Sequence, residues 1–276
     1  ETIGAREVRG ASAVEAITAQ IGEQAALLLL DNFEHAPALL QLAFFTELAH
    51  SFGADHDQLA AAIAHYGEQP DSDAEQALHK AAEPRRQELF RRLNYSWGGT
   101  YRLIKMRERL QGFMAEHPEL APVDLDFAHL FSSWFNPGFL EVKPISWGTP
   151  ASILEKLIKY EAVHAIAGWD DLRGRLDPQD RRCFAFFHPR LPDEPLIFVE
   201  VALSDGVPAS IQALLDEARN EIPLDEATTA VFYSISNTQR GLGGVPFGSF
   251  LLKRVIEQLK RDVPGLAAYV TLSPVP

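Results

Sequence analysis

The sequence predicts an α+β protein in two parts: an all-helical domain over residues 1–133 and a mixed sheet-and-helix domain over 134–276. Three observations carry this. Apolar residues recur at helical spacing from Leu39 to about Arg109, and runs rich in β-branched and aromatic residues are confined to the second half. Between the two lie the Pro- and Gly-bearing strings Pro118–Pro122 and Asn136-Pro-Gly138, which put the boundary near Ser133.

Residues 1–40 stand somewhat apart. Ala25 to Asp31, followed by Asn32-Phe-Glu-His35, resembles the Walker B strand of P-loop regulators, but no phosphate-cradling loop precedes it. The favoured reading is an amphipathic helix from about Ala13 leading into a second from Pro37. Beyond them Leu42, Phe45, Leu48 and Ala49 share one helical face, and Asp57 to Tyr66 is alanine-rich. Ala74 to Leu93 and Tyr101 to His117 carry charges at helical spacing. Gly67 to Ser72 and Trp97-Gly98-Gly99 punctuate them as turns. His50, His56 and His65 are scattered and read as surface residues.

In the second half, strand-like runs at Cys183–His188, Leu196–Leu203, Thr229–Ile235 and Leu266–Leu272 alternate with helical patterns at Pro150–His164, Pro208–Asn220 and Pro246–Asp262. In the last helix Phe247, Leu251, Val255 and Leu259 recur every fourth residue. Between the third strand and the first turn of that helix come Gly241, Gly243, Gly244 and Gly248. Strand, glycine turn and helix N-terminus form a recipe for an anion site, because bare N–H groups converge and glycine permits close approach. The turn lacks the Gly-Lys-Ser/Thr ending of a P-loop and the G-x-G-x-x-G of a dinucleotide fold. Arg240, Lys253 and Arg254 cluster here as a polyphosphate would want. A tight turn with a solvated basic helix face accounts for the same residues equally well.

The composition, 46% hydrophobic and 23% charged over 276 residues, is that of a soluble globular chain. A net charge of −13 argues against general nucleic-acid binding. The single cysteine, Cys183, excludes a disulfide framework and any multi-cysteine metal site, and its apolar setting reads as a buried structural thiol. No run reaches the ~18 apolar residues of a membrane span, and no secretory signal is seen. A cytosolic location is expected.

Several strings decide between the two readings of the turn. Ser234-Ile-Ser-Asn-Thr-Gln-Arg-Gly-Leu-Gly-Gly-Val-Pro-Phe-Gly-Ser249 and its continuation to Arg254 are followed by Leu272-Ser-Pro-Val-Pro276. Upstream come Trp134-Phe, Gly138-Phe-Leu, Ile145-Ser-Trp, Glu161-Ala-Val-His164, Arg181-Arg-Cys-Phe184 and Glu194 to Leu203. From about Leu42 to the last residue, in this order, the chain resembles the malonyl-CoA decarboxylase family, whereas residues 1–40 match it poorly.

The resemblance implies an N-terminal helical domain and an acetyltransferase-like (GNAT) domain with its phosphate loop after the central strand. The implied reaction converts malonyl-CoA to acetyl-CoA and CO₂ with no organic cofactor and no metal. It also implies that Gly243, Gly244, Val245, Pro246, Phe247, Gly248 and Ser249 bind acyl-CoA, that Ser273 is the catalytic serine, and that Lys156 aligns with an essential lysine. Asn237, Thr238 and Gln239 either line the same mouth or cap the turn. The family pairs its serine with a histidine in a later Phe-His-Leu-type motif, and this chain stops at Pro276 without one. His164 and His188 read as structural. The expectation is therefore a GNAT domain truncated at its C-terminal end, weakly active or inactive, and homo-oligomeric, with malonyl-CoA and acetyl-CoA as ligands and neither nucleic acid nor membrane as partner. A CoA-dependent acyltransferase and a non-catalytic acyl-CoA-binding protein are the alternatives.

Overall fold

The computed structural model describes residues 33–216, 218–246 and 248–272. The helix expected from Ala13, the Walker-like stretch, Phe247 and Ser273 lie outside the described residues. The chain divides into two compact units, one ending at Phe131 and one starting at Ser132.

The first unit is helical. It contains α1 (Ala38–Ser51), α2 (His56–Glu68), α3 (Ser72–Ala82), α4 (Arg85–Tyr95), α5 (Gly99–Phe113) and α6 (Ala121–Trp134, which runs into the second unit). Side-chain oxygens of Asp55 and Asp71 accept the first free N–H groups of α2 and α3, as N-caps do. The stretch Ala74–Leu93, read as carrying charges at helical spacing, forms two helices separated at Pro84, which cannot donate and disfavours helix in the residue before it. The freed N–H groups of Arg85 and Arg86 go to the carbonyls of Gly53 and Phe52 at 3.2 and 3.0 Å. Phe33, Phe45, Phe90, Phe127 and Phe131 are buried, and the Phe90 and Phe127 rings stack at 4.0 Å. Beside this aromatic core Arg86 is ion-paired to the buried Asp126, which also accepts from Gln87 Nε2 at 2.5 Å.

The second unit is built on one five-stranded sheet in the order β1-β2-β3-β4-β5. The strands are β1 (Glu141–Ile145), β2 (Arg181–Phe187), β3 (Ile197–Ser204), β4 (Thr229–Asn237) and β5 (Ala268–Thr271). The first three pairings are antiparallel and β4–β5 is parallel. The connection from β4 to β5 carries α10 (Gly248–Asp262), as a parallel pair requires a long crossover. The other helices are α7 (Ala151–Tyr160), α8 (Trp169–Leu176) and the single turn α9 (Ile211–Leu215). Ile153, Leu154 and Leu157 of α7 and Leu172 and Leu176 of α8 pack with Ile145, Cys183, Ala185, Phe187 and Phe198 of the sheet.

Three differences from the sequence reading have local causes. β1 contains Pro144, which is tolerated because β1 is an edge strand paired only to β2. α8 is short and contains Gly174, a poor helix former, so its spacing gave no signal. The helix expected over Pro208–Asn220 shrinks to α9 because Arg219 is drawn to Asp180, where it makes contacts of 2.5 and 2.9 Å with a carboxylate that is almost fully buried. A buried charge demands its partner more strongly than a helix demands one more turn.

Candidate functional site

β4 is irregular where the sheet meets α8. Glu200 of β3 pairs with Ser234 and Val201 with Phe232, so Tyr233 is an extra residue, a β-bulge. The bulged Tyr233 packs with Ala202, Leu214 and Val231 and is buried. Just beyond the bulge, Ser234 Oγ donates to Glu161 Oε1 at 2.6 Å and lies 2.8 Å from Oε2, and Ser236 Oγ donates to Oε2 at 2.9 Å. Glu161, the residue that ends α7, also accepts the N–H groups of Val163 and His164 at 3.0 and 2.8 Å. Ser236 Oγ in turn accepts from the Ala162 N–H at 3.2 Å. One carboxylate thus latches the segment after α7 onto the C-terminal end of β4.

Deeper on the same sheet lies Glu200, which is fully buried. Burial, helped by the nearby Glu161 charge and opposed by Arg175, pushes its carboxyl from an ordinary 4.5 to about 7. Arg175 of α8 donates to Glu200 Oε2 at 3.2 Å and to both carboxylate oxygens of Asp171 at 2.9 and 3.2 Å. Burial works against the guanidinium charge, but Asp171 and Glu200 more than offset it, so Arg175 holds its proton more tightly than usual.

The sign of the consequence follows from linkage. The folded state holds the Glu200 proton more firmly than the unfolded chain does. Its contribution to stability is therefore complete below about pH 4.5 and is lost as pH rises towards 7. His188 pulls the other way, because burial lowers its pKa and disfavours its charged form. Urea unfolding of wild type and Glu200→Gln at pH 5 and pH 8 isolates the carboxyl. Wild type should lose about 2–3 kcal/mol more than the variant over that interval, and equal losses would refute the assignment.

β4 runs out at Asn237 into the glycine turn. Thr238 fixes the start of the turn: its N–H donates to the Leu196 carbonyl at 3.0 Å and its hydroxyl to the Pro195 carbonyl. A 3-10 turn over Arg240–Leu242 follows, with the Gly243 and Val245 N–H groups bonded to the carbonyls of Arg240 and Leu242 at 2.9 and 3.1 Å. Two of the donors that a phosphate could have used are therefore spent on shaping the turn. Gly244, at φ +80, supplies the left-handed conformation, and a side chain there would point into open space. The exposed Arg240 and Lys253 flank the turn, whereas Arg254 lies 4.0 Å from Glu257. α10, fifteen residues long, then directs its N-terminus at the turn.

Gln239, at the root of the turn, is 2% exposed, and neither atom of its side-chain amide has a hydrogen-bond partner among the described residues. Each such orphan costs about 1–3 kcal/mol.

Comparison with known proteins covers these features from residue 52 onward. The family model for the malonyl-CoA decarboxylase N-terminal domain matches residues 52–135, and that for the C-terminal domain matches residues 138–276. The chain belongs to the malonyl-CoA decarboxylase family. It is 36% identical to "Malonyl-CoA decarboxylase, mitochondrial" of Anser anser anser over 243 residues, covering 83% of this chain and 48% of that protein. The Mus musculus protein of the same name gives 36% over 248 residues, with 83% and 49% covered. The chain therefore spans about half the length of the curated relatives it matches. Crystal structures of malonyl-CoA decarboxylase from Rhodopseudomonas palustris and Agrobacterium vitis are 54% and 55% identical, with TM-scores of 0.86 and 0.87. Each is covered over 65% of its length by 95% of this chain.

Of the residues the family resemblance singles out, Gly243, Gly244, Val245 and Pro246 lie together in the turn, and Gly248 and Ser249 open α10. Lys156 projects from α7, and its ammonium donates to Glu194 Oε1 at 2.6 Å and to the Asp193 carbonyl at 2.7 Å. It braces the Asp193–Leu196 loop, whose Pro195 and Leu196 carbonyls hold Thr238, so it meets the turn through that loop. Leu272, the residue before Ser273, is tied to β4 by its N–H bond to the Phe232 carbonyl at 2.9 Å. His188 accepts the Arg190 N–H on Nδ1 and donates from Nε2 to the Trp134 carbonyl at 3.1 Å, a structural role. Cys183 is buried, and burial pushes its thiol well up, away from the thiolate a nucleophile needs. The Glu161 latch, the Glu200–Arg175 pair and the isolated Gln239 amide were not anticipated. The string Glu161-Ala-Val-His164 was visible, but nothing local says that its acid reaches serines 73 and 75 residues away.

Proposed function

We propose that this chain holds the acyl-CoA site of a malonyl-CoA decarboxylase, the carboxy-lyase that converts malonyl-CoA to acetyl-CoA and CO₂. The observation that carries the reading is the turn between β4 and α10. Glycines, flanking cations and a long helix N-terminus meet there, in a chain of this family. An acetyltransferase-like domain is the architecture that suits it. The antiparallel β1–β4 set, the bulge in β4, the turn after β4 and the parallel β4–β5 pair support that architecture.

The reaction breaks the bond between the α-carbon and the carboxylate. The electron pair passes into the thioester as an enolate, CO₂ leaves, and a proton is then delivered to the α-carbon. Since the thioester itself accepts the electrons, no organic cofactor or metal is needed. The protein's work is to hold the phosphates at Gly243–Ser249, to place the carboxylate, and to present donors to the enolate oxygen, each worth about 3–4 kcal/mol. Ser273 and Lys156 are the residues proposed at the chemistry. With its ammonium held by Glu194, Lys156 acts as a fixed charge or a brace rather than a free base.

The reading extends to a homo-oligomer, in keeping with Tyr95 and Trp97 standing 80% and 91% exposed on the first unit. It also extends to the cytosol, where Cys183 stays reduced. Among the described residues no helix is long and apolar enough to cross a membrane. Incubation of the chain with malonyl-CoA and no acceptor tests the core claim. Slow formation of acetyl-CoA and CO₂, lost in Ser273→Ala, is expected. Binding without any release of CO₂ would leave an acyl-CoA-binding chain and overturn the enzymatic reading.

A further inference from the structure

Gln239 is the residue whose surroundings least explain it. It occupies the first position after Thr238, at the root of the turn, with backbone of extended type and its whole side chain enclosed. A primary amide has both donors and an acceptor, and here Nε2 and Oε1 are both unmet. A phosphate or carboxylate only accepts, so it could satisfy Nε2 and would leave Oε1 orphaned. Satisfying both takes an acceptor from one group and a donor from another, and a chain bearing two secondary amides offers a carbonyl from one and an N–H from the other. We propose that Gln239 is a ligand-binding residue whose side-chain amide bonds the two secondary amides of the pantetheine arm, donating to a carbonyl and accepting an N–H, in an acyl-CoA seated at the β4–α10 turn. This rests on the acyl-CoA reading given above. Pantetheine has two such amides and joins the phosphates to the thioester, so a contact next to the phosphate turn lies in the right part of the ligand. The three side-chain torsions of glutamine let the amide turn towards a ligand, and leaving an unpartnered site opposes that motion little.

The test uses the full chain, Gln239→Met and Gln239→Leu, with calorimetric titration of acetyl-CoA and of adenosine 3′,5′-bisphosphate, which has the nucleotide end and no pantetheine. Methionine fills the same volume without a polar atom, so the ligand-free variant should melt at or above the wild-type temperature. Acetyl-CoA should bind at least tenfold more weakly to Gln239→Met, with bisphosphate affinity unchanged. Gln239→Leu likewise has neither donor nor acceptor and adds no charge near the phosphates, so the same weakening is expected of it should the methionine variant fail to fold. Wild-type affinity for acetyl-CoA in a folded variant overturns the proposal and leaves the acyl-CoA reading standing. Failure of the wild-type chain to bind acetyl-CoA overturns both. An equal loss for both ligands also overturns it, since the residue would then merely be shaping the turn.

Discussion

Gly244→Asp is expected to weaken acetyl-CoA binding at least a hundredfold while the chain still folds. The backbone at this residue has φ +80, where a side chain costs roughly 1–2 kcal/mol, and Asp is among the residues that tolerate the left-handed region best. Among the described residues, and leaving aside its chain neighbours, no atom lies within 4 Å of the added Cβ, so the described fold meets no clash. The carboxylate instead projects into the space in front of the turn, where a phosphate would sit against the α10 N-terminus. Like charges brought together there cost several kcal/mol, and about 3 kcal/mol is a factor of a hundred in affinity. Gly244→Asn has nearly the same shape without the charge, and it separates the two causes: its loss should be much smaller. Calorimetry on both variants, with circular dichroism to confirm folding, decides the matter. Unchanged affinity in a folded Gly244→Asp would remove the turn as the phosphate site.

The elements that the sequence announced are those whose signal is local. α10 was legible because Leu251, Val255 and Leu259 recur every fourth residue, and all are buried. β3 and β4 were legible as long β-branched and aromatic runs, and they are the central strands, buried along most of their length. β1 was not, since an edge strand is short and here carries Pro144. The break at Pro84 was readable in principle from the proline alone, but the charges on either side continue the helical spacing and hide it.

The site divides in the same way. The glycine turn is a contiguous string and was found, whereas the latch joins Glu161 to Ser234 and Ser236 only once the sheet has formed. Nothing in the residues around Glu200 marks it as an acid with a raised pKa. On sequence it is one polar position in an apolar strand, and only the buried pairing with Arg175 of α8 gives it meaning. The isolation of Gln239 is likewise a property of the finished packing, invisible to spacing or composition.

The latch carries the second large effect. Glu161 accepts from two hydroxyls and two backbone N–H groups, all inside the second unit. Glu161→Ala leaves those donors with no acceptor in a region where water has little access. Hydrogen bonds to a charged group contribute about 1.5–3 kcal/mol each. Removing the carboxylate also relieves its repulsion with Glu200, which offsets part of the loss. A net destabilisation of about 3 kcal/mol is expected in urea unfolding at pH 7. Glu161→Gln is the more discriminating variant. It keeps one carbonyl for the donors but turns an NH₂ towards them, so its cost should be smaller yet clear. It also deletes a negative charge beside Glu200, so the raised pKa of that carboxyl should fall, and the loss of stability between pH 5 and pH 8 should shrink with it. Two independent readings, an unfolding midpoint and its pH dependence, therefore report on one carboxylate. If Glu161→Gln left both unchanged, the four contacts would be incidental and the end of β4 would be held by packing alone.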